Sequence, residues 1–318
     1  MSRPLNAPVV SVMMPVHNAM PYLVESIESI LRQTFANIEL IAIDDGSTDS
    51  SLQVLREASH RDPRVRVTSR ANQGVVATRN ECLSLAQAEL VAVNDADDVS
   101  APTRLAKQVA YLEANPDCLA VGTRMCFVDP HGLSLGDRFK LTEHAAIDGW
   151  HMSGRGAAIG HSSVMMRASN VRQIGGYRDG YAPSEDYDMW LRLAEHGQLS
   201  NLNETLAQYR LHPASLSHEQ TERQHASAWQ AVSDARVRRG MPALIPQEAQ
   251  YQPTPAEVSW MRDALANRSF HEGRKLAIKA LRTHPFSRLS WRLAVMGLLG
   301  PKLPAAIRLL RKSKQIRL

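Results

Sequence analysis

The chain has 318 residues, 44% of them hydrophobic, and a formal net charge of +5, enough apolar material for a full α/β core with a smaller second unit and too much for a disordered chain. Its three cysteines, Cys82, Cys118 and Cys126, form no CxxC pair, which excludes a zinc knuckle or a disulfide framework and suits a reducing compartment. No apolar run approaches the roughly 20 residues that span a bilayer, and Met1 to Val16 lacks the basic-then-apolar pattern of a signal peptide, so a cytoplasmic protein, soluble or peripheral, is expected.

In chain order, apolar β-rich runs alternate with segments of helical period, the pattern of a mostly parallel sheet flanked by helices. Val9 to Met14 predicts the first strand, and Leu23, Ile27, Ile30 and Leu31 fall on one face of the following helix. Ile38 to Ile43 predicts the second strand, Leu52, Leu55 and Ala58 the inner face of a second helix, and Val65 to Val67 a short third strand. A helix over Val75 to Ala88 leads to a buried strand, Leu90 to Val93. Ligands of such sheets bind beyond the carboxyl ends of the strands, which directs attention to three polar runs.

The first run is Pro15-Val16-His17-Asn18, which also suits a plain strand-exit turn. The second, Asp44-Asp45-Gly46-Ser47-Thr48-Asp49, is equally a turn capping the next helix. The third, Asp95-Ala96-Asp97-Asp98, is harder to explain structurally, because three carboxylates after an apolar strand repel one another unless a cation relieves them. Hard oxygen ligands favour Mg2+ or Mn2+, held by one or two carboxylates and the phosphates of a substrate. No GxGxxG follows a strand and no GxxxxGK[ST] occurs, which removes dinucleotide dehydrogenases and P-loop ATPases.

Together with Asn72-Gln73-Gly74 and Arg79-Asn80, these runs resemble, in order and spacing, the family 2 glycosyltransferases of GT-A fold. The likeness continues through His161-Ser162-Ser163, Gly175-Gly176-Tyr177, Ser184-Glu185-Asp186-Tyr187-Asp188 and Tyr209-Arg210-Leu211-His212, over roughly residues 8 to 218. The resemblance implies an inverting, metal-dependent transferase of bacterial cell-envelope type, moving a sugar from a nucleotide diphosphate donor, by family tendency a UDP-sugar, to a saccharide or lipid-linked acceptor. It implies that Asp45 accepts a hydrogen bond from the donor base, that Pro15 and His17 line the base pocket, and that Asp95 and Asp97 match the DxD element that holds ribose and the diphosphate-bound cation, with Asp98 in support. Arg79 matches a position near the nucleotide, touching phosphate or bracing the site. Asp186 is the implied general base, beside Glu185 in the first turn of a helix, where acidity also suits the helix dipole. Arg210 and His212 are candidate diphosphate or metal contacts, although a lone histidine is more often structural. His161 opens a strand-like segment that faces the acceptor or diphosphate.

Gly136 to Gly160 reads as a loop-rich flap whose Trp150 either stacks on a sugar or packs in the core. The domain reading is a GT-A domain over residues 1–218, with a nucleotide half at 8–125 and an acceptor half at 126–218, followed by a basic helical region over residues 219–318. Within the latter, Thr221 to Arg239 predicts a polar amphipathic helix, and from Arg274 onward basic residues occur without acidic ones. That pattern suits an anionic membrane surface, at about 1 kcal/mol per basic residue near it, or a small bundle with a solvated face; no motif points to nucleic acid. Two other classes fit the residues less well, a non-catalytic nucleotide-sugar-binding scaffold on the same fold and a sugar-phosphate nucleotidyltransferase.

Overall fold

The computed structural model describes residues 7–130, 132–212 and 221–243, and singly residues 278, 281, 282 and 291. The chain divides into two compact units, the first holding the described residues of 7–126, 138–210 and 221–243. The first three strands and helices follow the expected alternation: β1 (Val10–Val16), α1 (Leu23–Leu31), β2 (Ile38–Asp45), α2 (Ser51–Arg61), β3 (Val65–Arg70) and α3 (Val75–Leu85). β4 (Leu90–Val93) and the short β5 (Val99–Ser100) flank the acidic run. Next come α4 (Arg104–Ala114), β6 (Cys118–Val128), β7 (Ser134–Arg138), α5 (His144–Met152), a 3-10 turn at His161–Ser163 and β8 (Met165–Arg167). The remaining elements are α6 (Ala168–Gln173), α7 (Glu185–Leu193), β9 (Gln198–Arg210) and α8 (Thr221–Arg238).

The strands form one mixed sheet in the order β3-β2-β1-β4-β8-β6-β9-β5, with β7 paired to β6. β1, β2, β3 and β4 are mutually parallel, as the alternation of strands and helices predicts, whereas β8 runs antiparallel to both β4 and β6, and β5 to β9. β8 is entered directly from the turn at His161–Ser163. Side chains alternate across the sheet with period two. Val10, Val12 and Met14 of β1 pack with Leu23, Ile27 and Ile30 of α1 and Leu105 and Val109 of α4, while Met13 packs on the opposite face with Cys82, Val93 and Trp190.

Gly136 to Gly160, expected to be a mobile flap, holds β7 and α5 instead; Ile147 and His151 of α5 are wholly buried. Its Trp150 is not core, being 37% exposed with the Arg155 guanidinium 5.3 Å from its ring centre. α8, expected from its pattern, buries Ala231, Val232 and Ala235 in the cluster that holds Trp190. Small residues there let the helix lie close against α7. No helix among the described residues is long and apolar enough to cross a membrane. Besides the four single positions, the described residues of the second unit are 127–130, 132–137, 211 and 212, where the Leu133 amide donates to the Asp129 carboxylate at 2.8 Å and the Leu211 amide to the Val128 carbonyl at 2.9 Å. The basic stretch from Arg274 lies outside the described residues, apart from the four single positions.

Candidate active site

Parallel register brings the carboxyl ends of β1, β2 and β4 to one edge: Pro15 lies opposite Ile43, Val16 opposite Asp44, and Met13 opposite Val93. The His17 ring nitrogen Nδ1 is 2.9 Å from the Asp45 carbonyl, and Pro15 precedes it at the end of β1, half-buried. The Asp45 carboxylate is already engaged: it accepts the backbone amides of Gln73 and Gly74, each at 2.9 Å, and pairs with Arg70. It thus holds the loop that leads into α3, whereas the sequence suited its run to capping the next helix, α2. A carboxylate offers about four acceptor sites, so a base imide N–H still has one to use.

The acidic run is wound around Asn94, whose side-chain amide donates to Ser26 Oγ at 2.9 Å and to the Asp95 carbonyl at 3.1 Å. The Asp98 amide closes the turn on the Asp95 carbonyl at 3.2 Å. The Asp95 side chain, one quarter exposed, has Arg79 Nη2 at 3.4 Å from one oxygen and His161 Nδ1 at 3.8 Å from the other. Burial would raise its pKa, but Arg79 and His161 hold it well below the usual carboxylate range. Asp98 behaves oppositely: burial, with repulsion from Asp97 and Asp95, pushes its carboxyl well above the ordinary value. One Asp98 oxygen accepts the Arg210 amide at 2.9 Å, and the other is buried without a hydrogen-bond partner.

Among the described residues, no three His, Cys, Asp or Glu groups converge as a complete metal cage. The acidic loop nevertheless fits a divalent cation of the shared kind, with hard oxygens only, mutual repulsion to relieve and an orphaned Asp98 oxygen, the other coordination positions falling to phosphate and water.

Arg79 joins this loop to α7. Its guanidinium pairs with Asp95 through Nη2 and with Glu185 through Nη1, and lies 5.8 Å from the centre of the Tyr177 ring. Burial opposes its charge, but Glu185, Asp95, Tyr177 and Asp186 together hold it protonated. In the opposite sense, burial outweighs Arg79 and lifts the Glu185 carboxyl above its ordinary value. Glu185 is therefore a buried ion-pair partner, while Asp186 is half-buried and accepts its neighbour Tyr187's amide at 2.8 Å. His161 sits 2.9 Å from the Tyr177 hydroxyl through Nε2; when that hydroxyl donates, the ring proton lies on Nδ1, toward Asp95.

Sequence reasoning missed the parts that hold this cluster. Asn80 clamps the Tyr177 backbone in both directions, at 2.8 and 2.9 Å, and Ser162 Oγ accepts the Asp95 amide at 3.0 Å. The adjacency of Arg79 and Asn80 was the available signal. Arg210, expected at the diphosphate, is buried: it donates to the Asp97 carbonyl at 3.2 Å and to Glu25 at 2.8 Å, and stacks 4.7 Å over Tyr22. It thus ties the acidic loop to α1. His212 belongs to the second unit.

The glycosyl transferase family 2 model matches residues 11–172, just over half of the chain. EpsE of Bacillus subtilis, named as a glycosyltransferase, is 39% identical over 210 residues, covering 64% of this chain and 74% of its own. Among solved structures, S. aureus TarS 1-349 in complex with UDP-GlcNAc has a TM-score of 0.58 at 17% identity, over 91% of this chain and 79% of that one. Mannosyltransferase PcManGT from Pyrobaculum calidifontis, in complex with GDP-Man and Mn2+, has a TM-score of 0.55 at 16% identity, over 97% and 88%. The curled mixed sheet with its flanking helices is the GT-A fold, and the chain belongs to glycosyl transferase family 2.

Proposed function

We propose that this transferase takes a sugar from a nucleotide diphosphate donor, a UDP-sugar in the first instance, to an acceptor hydroxyl with inversion, in cell-surface polysaccharide or glycolipid synthesis. The observation that carries the reading is the double pairing of Arg79 with Asp95 and Glu185, which couples the acidic loop to the helix turn that bears Asp186. The ligands of the structural neighbours, UDP-GlcNAc with TarS and GDP-Man with Mn2+ in PcManGT, support a nucleotide sugar donor and a divalent cation. Pro15, His17 and Asp45 would hold the base, and Asp95 and Asp97 the ribose and a Mn2+ or Mg2+ ion. When bound, such an ion supplies Lewis-acid stabilisation of charge on the departing diphosphate.

Asp186 takes the proton of the acceptor hydroxyl as its oxygen attacks the anomeric carbon, and the bond from that carbon to the diphosphate oxygen breaks with its electron pair leaving on phosphate. One displacement without a covalent enzyme intermediate gives inversion. Arg79, held protonated by its three acidic neighbours, keeps the loop and the base in a fixed relation. His161 faces Asp95 from the acceptor side, and Arg210 holds the loop from below through the Asp97 carbonyl. The catalytic unit in this reading is residues 1–218 with α8 packed on it, and the basic region within 219–318 brings it to an anionic membrane surface on the cytoplasmic side.

The test is nucleotide diphosphate release from UDP-, GDP- and TDP-sugars with and without Mn2+, for the wild type, Asp97→Asn and Asp186→Asn. Metal-dependent release from one donor, lost in Asp97→Asn, is expected. Asp186→Asn should lose transfer by about 100-fold or more while binding donor as before; equal turnover removes it from the base role. Silence of the wild type across all donors, without binding, would leave the scaffold reading.

A further inference from the structure

The helix α4 turns two polar residues, Arg104 and Gln108, one turn apart, into the core; both are fully buried among Leu105, Val109 and Leu112. A buried guanidinium ordinarily has a carboxylate partner. Among the described residues Arg104 has none, and it bonds only to carbonyls: Nη1 to Val93 at 3.0 Å and to Ser162 at 2.6 Å, Nη2 to Val93 at 3.0 Å. Gln108 Nε2 continues the same row, donating to Ser163 at 2.8 Å and Val121 at 2.7 Å.

The sheet explains why those carbonyls are available. The antiparallel register of β4 with β8 pairs Ala92 with Met165, so that Val93 falls opposite Val164. The Val93 amide makes its half of that pair, donating to the Val164 carbonyl at 3.0 Å. A regular ladder would return the Val164 amide to the Val93 carbonyl, but that amide donates to His161 at 3.2 Å, inside the 3-10 turn. Arg104 supplies the missing donor. By also gripping Ser162, it fixes the turn from which His161 projects, and from which Ser162 Oγ takes the Asp95 amide at 3.0 Å.

We propose that Arg104, with Gln108 one turn on, is a positioning residue that sets the acidic loop at Asp95 through the backbone of Ser162. The inference rests on the donor-binding reading above and adds to it a residue that touches neither donor nor acceptor. Its guanidinium is the buried positive charge beneath the loop, attracted by Asp98 and Asp95 although burial lowers its pKa to about 10. A lysine would keep the charge and lose the fork that spans two carbonyls.

The experiment measures UDP and GDP binding by calorimetry in Mn2+, alongside circular dichroism melts, for the wild type, Arg104→Lys, Ser162→Ala and the double variant. Arg104→Lys should melt cooperatively and bind the preferred nucleotide about 10-fold more weakly. Because both changes act through the same amide of Asp95, the double variant should bind no more weakly than the weaker single one. Wild-type affinity in folded Arg104→Lys, or losses that multiply in the double variant, would overturn the proposal. Should Arg104→Lys fail to fold, Gln108→Met replaces it in the same cycle, with the same two outcomes. Absence of nucleotide binding by the wild type itself would instead count against the donor-binding reading.

Discussion

Replacing Arg79 by methionine keeps an unbranched stem, two atoms shorter, and removes the charge that Glu185 faces. Glu185 is 3% exposed, and its contact with Arg79 is the one ion pair it makes among the described residues. Breaking a buried pair on one side costs about 3–5 kcal/mol. The folded protein has one escape, which is to protonate Glu185. Neutralising a carboxyl of unfolded pKa about 4.3 at pH 7 costs about 3.7 kcal/mol, so the loss by this route should not exceed that figure. The sign follows from burial, which already raises the Glu185 pKa in the native protein. Without Arg79 it rises further, so the stability it carries is full below the unfolded pKa and is lost as pH rises toward the folded one. The deficit of Arg79→Met against wild type should therefore grow by up to about 1.4 kcal/mol per pH unit once the pH exceeds the raised native pKa of Glu185. Urea unfolding followed by circular dichroism at four pH values between 5 and 8 reads this slope. Arg79→Met/Glu185→Gln should remove most of it, since an amide needs no counter-charge. A deficit below about 1 kcal/mol at pH 7, or one that does not change with pH, would refute the view of this pair as a buried, mutually dependent unit.

His151 is buried, accepts the Ala158 amide at 2.9 Å, and burial lowers its pKa to about 3. The unfolded chain binds its proton more readily, so stability linked to His151 is complete above about pH 6.5 and falls by up to about 1.4 kcal/mol per unit below it; in His151→Gln the urea midpoint should lose that part of its pH dependence. Gly176 has φ +66° and an added Cβ would meet the Asn80 amide oxygen at 2.5 Å, so Gly176→Ala should cost about 2 kcal/mol in urea unfolding and weaken donor turnover by loosening Tyr177. Asp45→Ala removes the acceptor of the Gln73 and Gly74 amides just before α3, which is expected to cost about 1–3 kcal/mol and to raise the donor KM more than it lowers kcat. For the basic region, salt-sensitive binding to anionic liposomes should disappear on truncation after Arg268; binding that survives would remove the membrane reading.

Much of the first half of the fold could be read from local signals. Val9 to Met14 is an apolar, β-rich run followed by a turn, and the helix stripe Leu23, Ile27 and Ile30 packs against Val10, Val12 and Met14 as its spacing predicts. The acidic loop was legible for the same reason, as carboxylates following directly on an apolar strand. What was not legible depends on long-range partners. Nothing local distinguishes Glu185 as the mate of an arginine 106 residues earlier, or Arg104 as a plug for a carbonyl that a 3-10 turn leaves open. Arg210 was expected at the diphosphate or metal from its segment's resemblance, whereas the structure turns it onto Glu25 and Tyr22. α5 was missed because glycine and two histidines interrupt its pattern, although Ile147 and His151, four apart, do share its buried side.

The first turn of α7 carries three acids, Glu185, Asp186 and Asp188, and the geometry of the helix assigns them different work. At about 100° per residue, Glu185 and Asp188 stand about 60° apart on one side, and that side is turned inward. Glu185 pairs with Arg79, while Asp188 is wholly buried between Arg178 and Arg192, and Arg192 also donates to the Gly176 carbonyl at 2.7 Å. Asp188 therefore anchors the glycine turn that presents Tyr177, and Glu185 anchors the acidic loop through Arg79. Asp186 stands about 100° round from Glu185, half-buried, with no ion pair among the described residues. A general base must change protonation within each turnover, and a carboxylate locked to a guanidinium resists that change. Of the three, Asp186 alone can take a proton without breaking a buried pair, and the two pairs beside it fix the helix turn on which it stands.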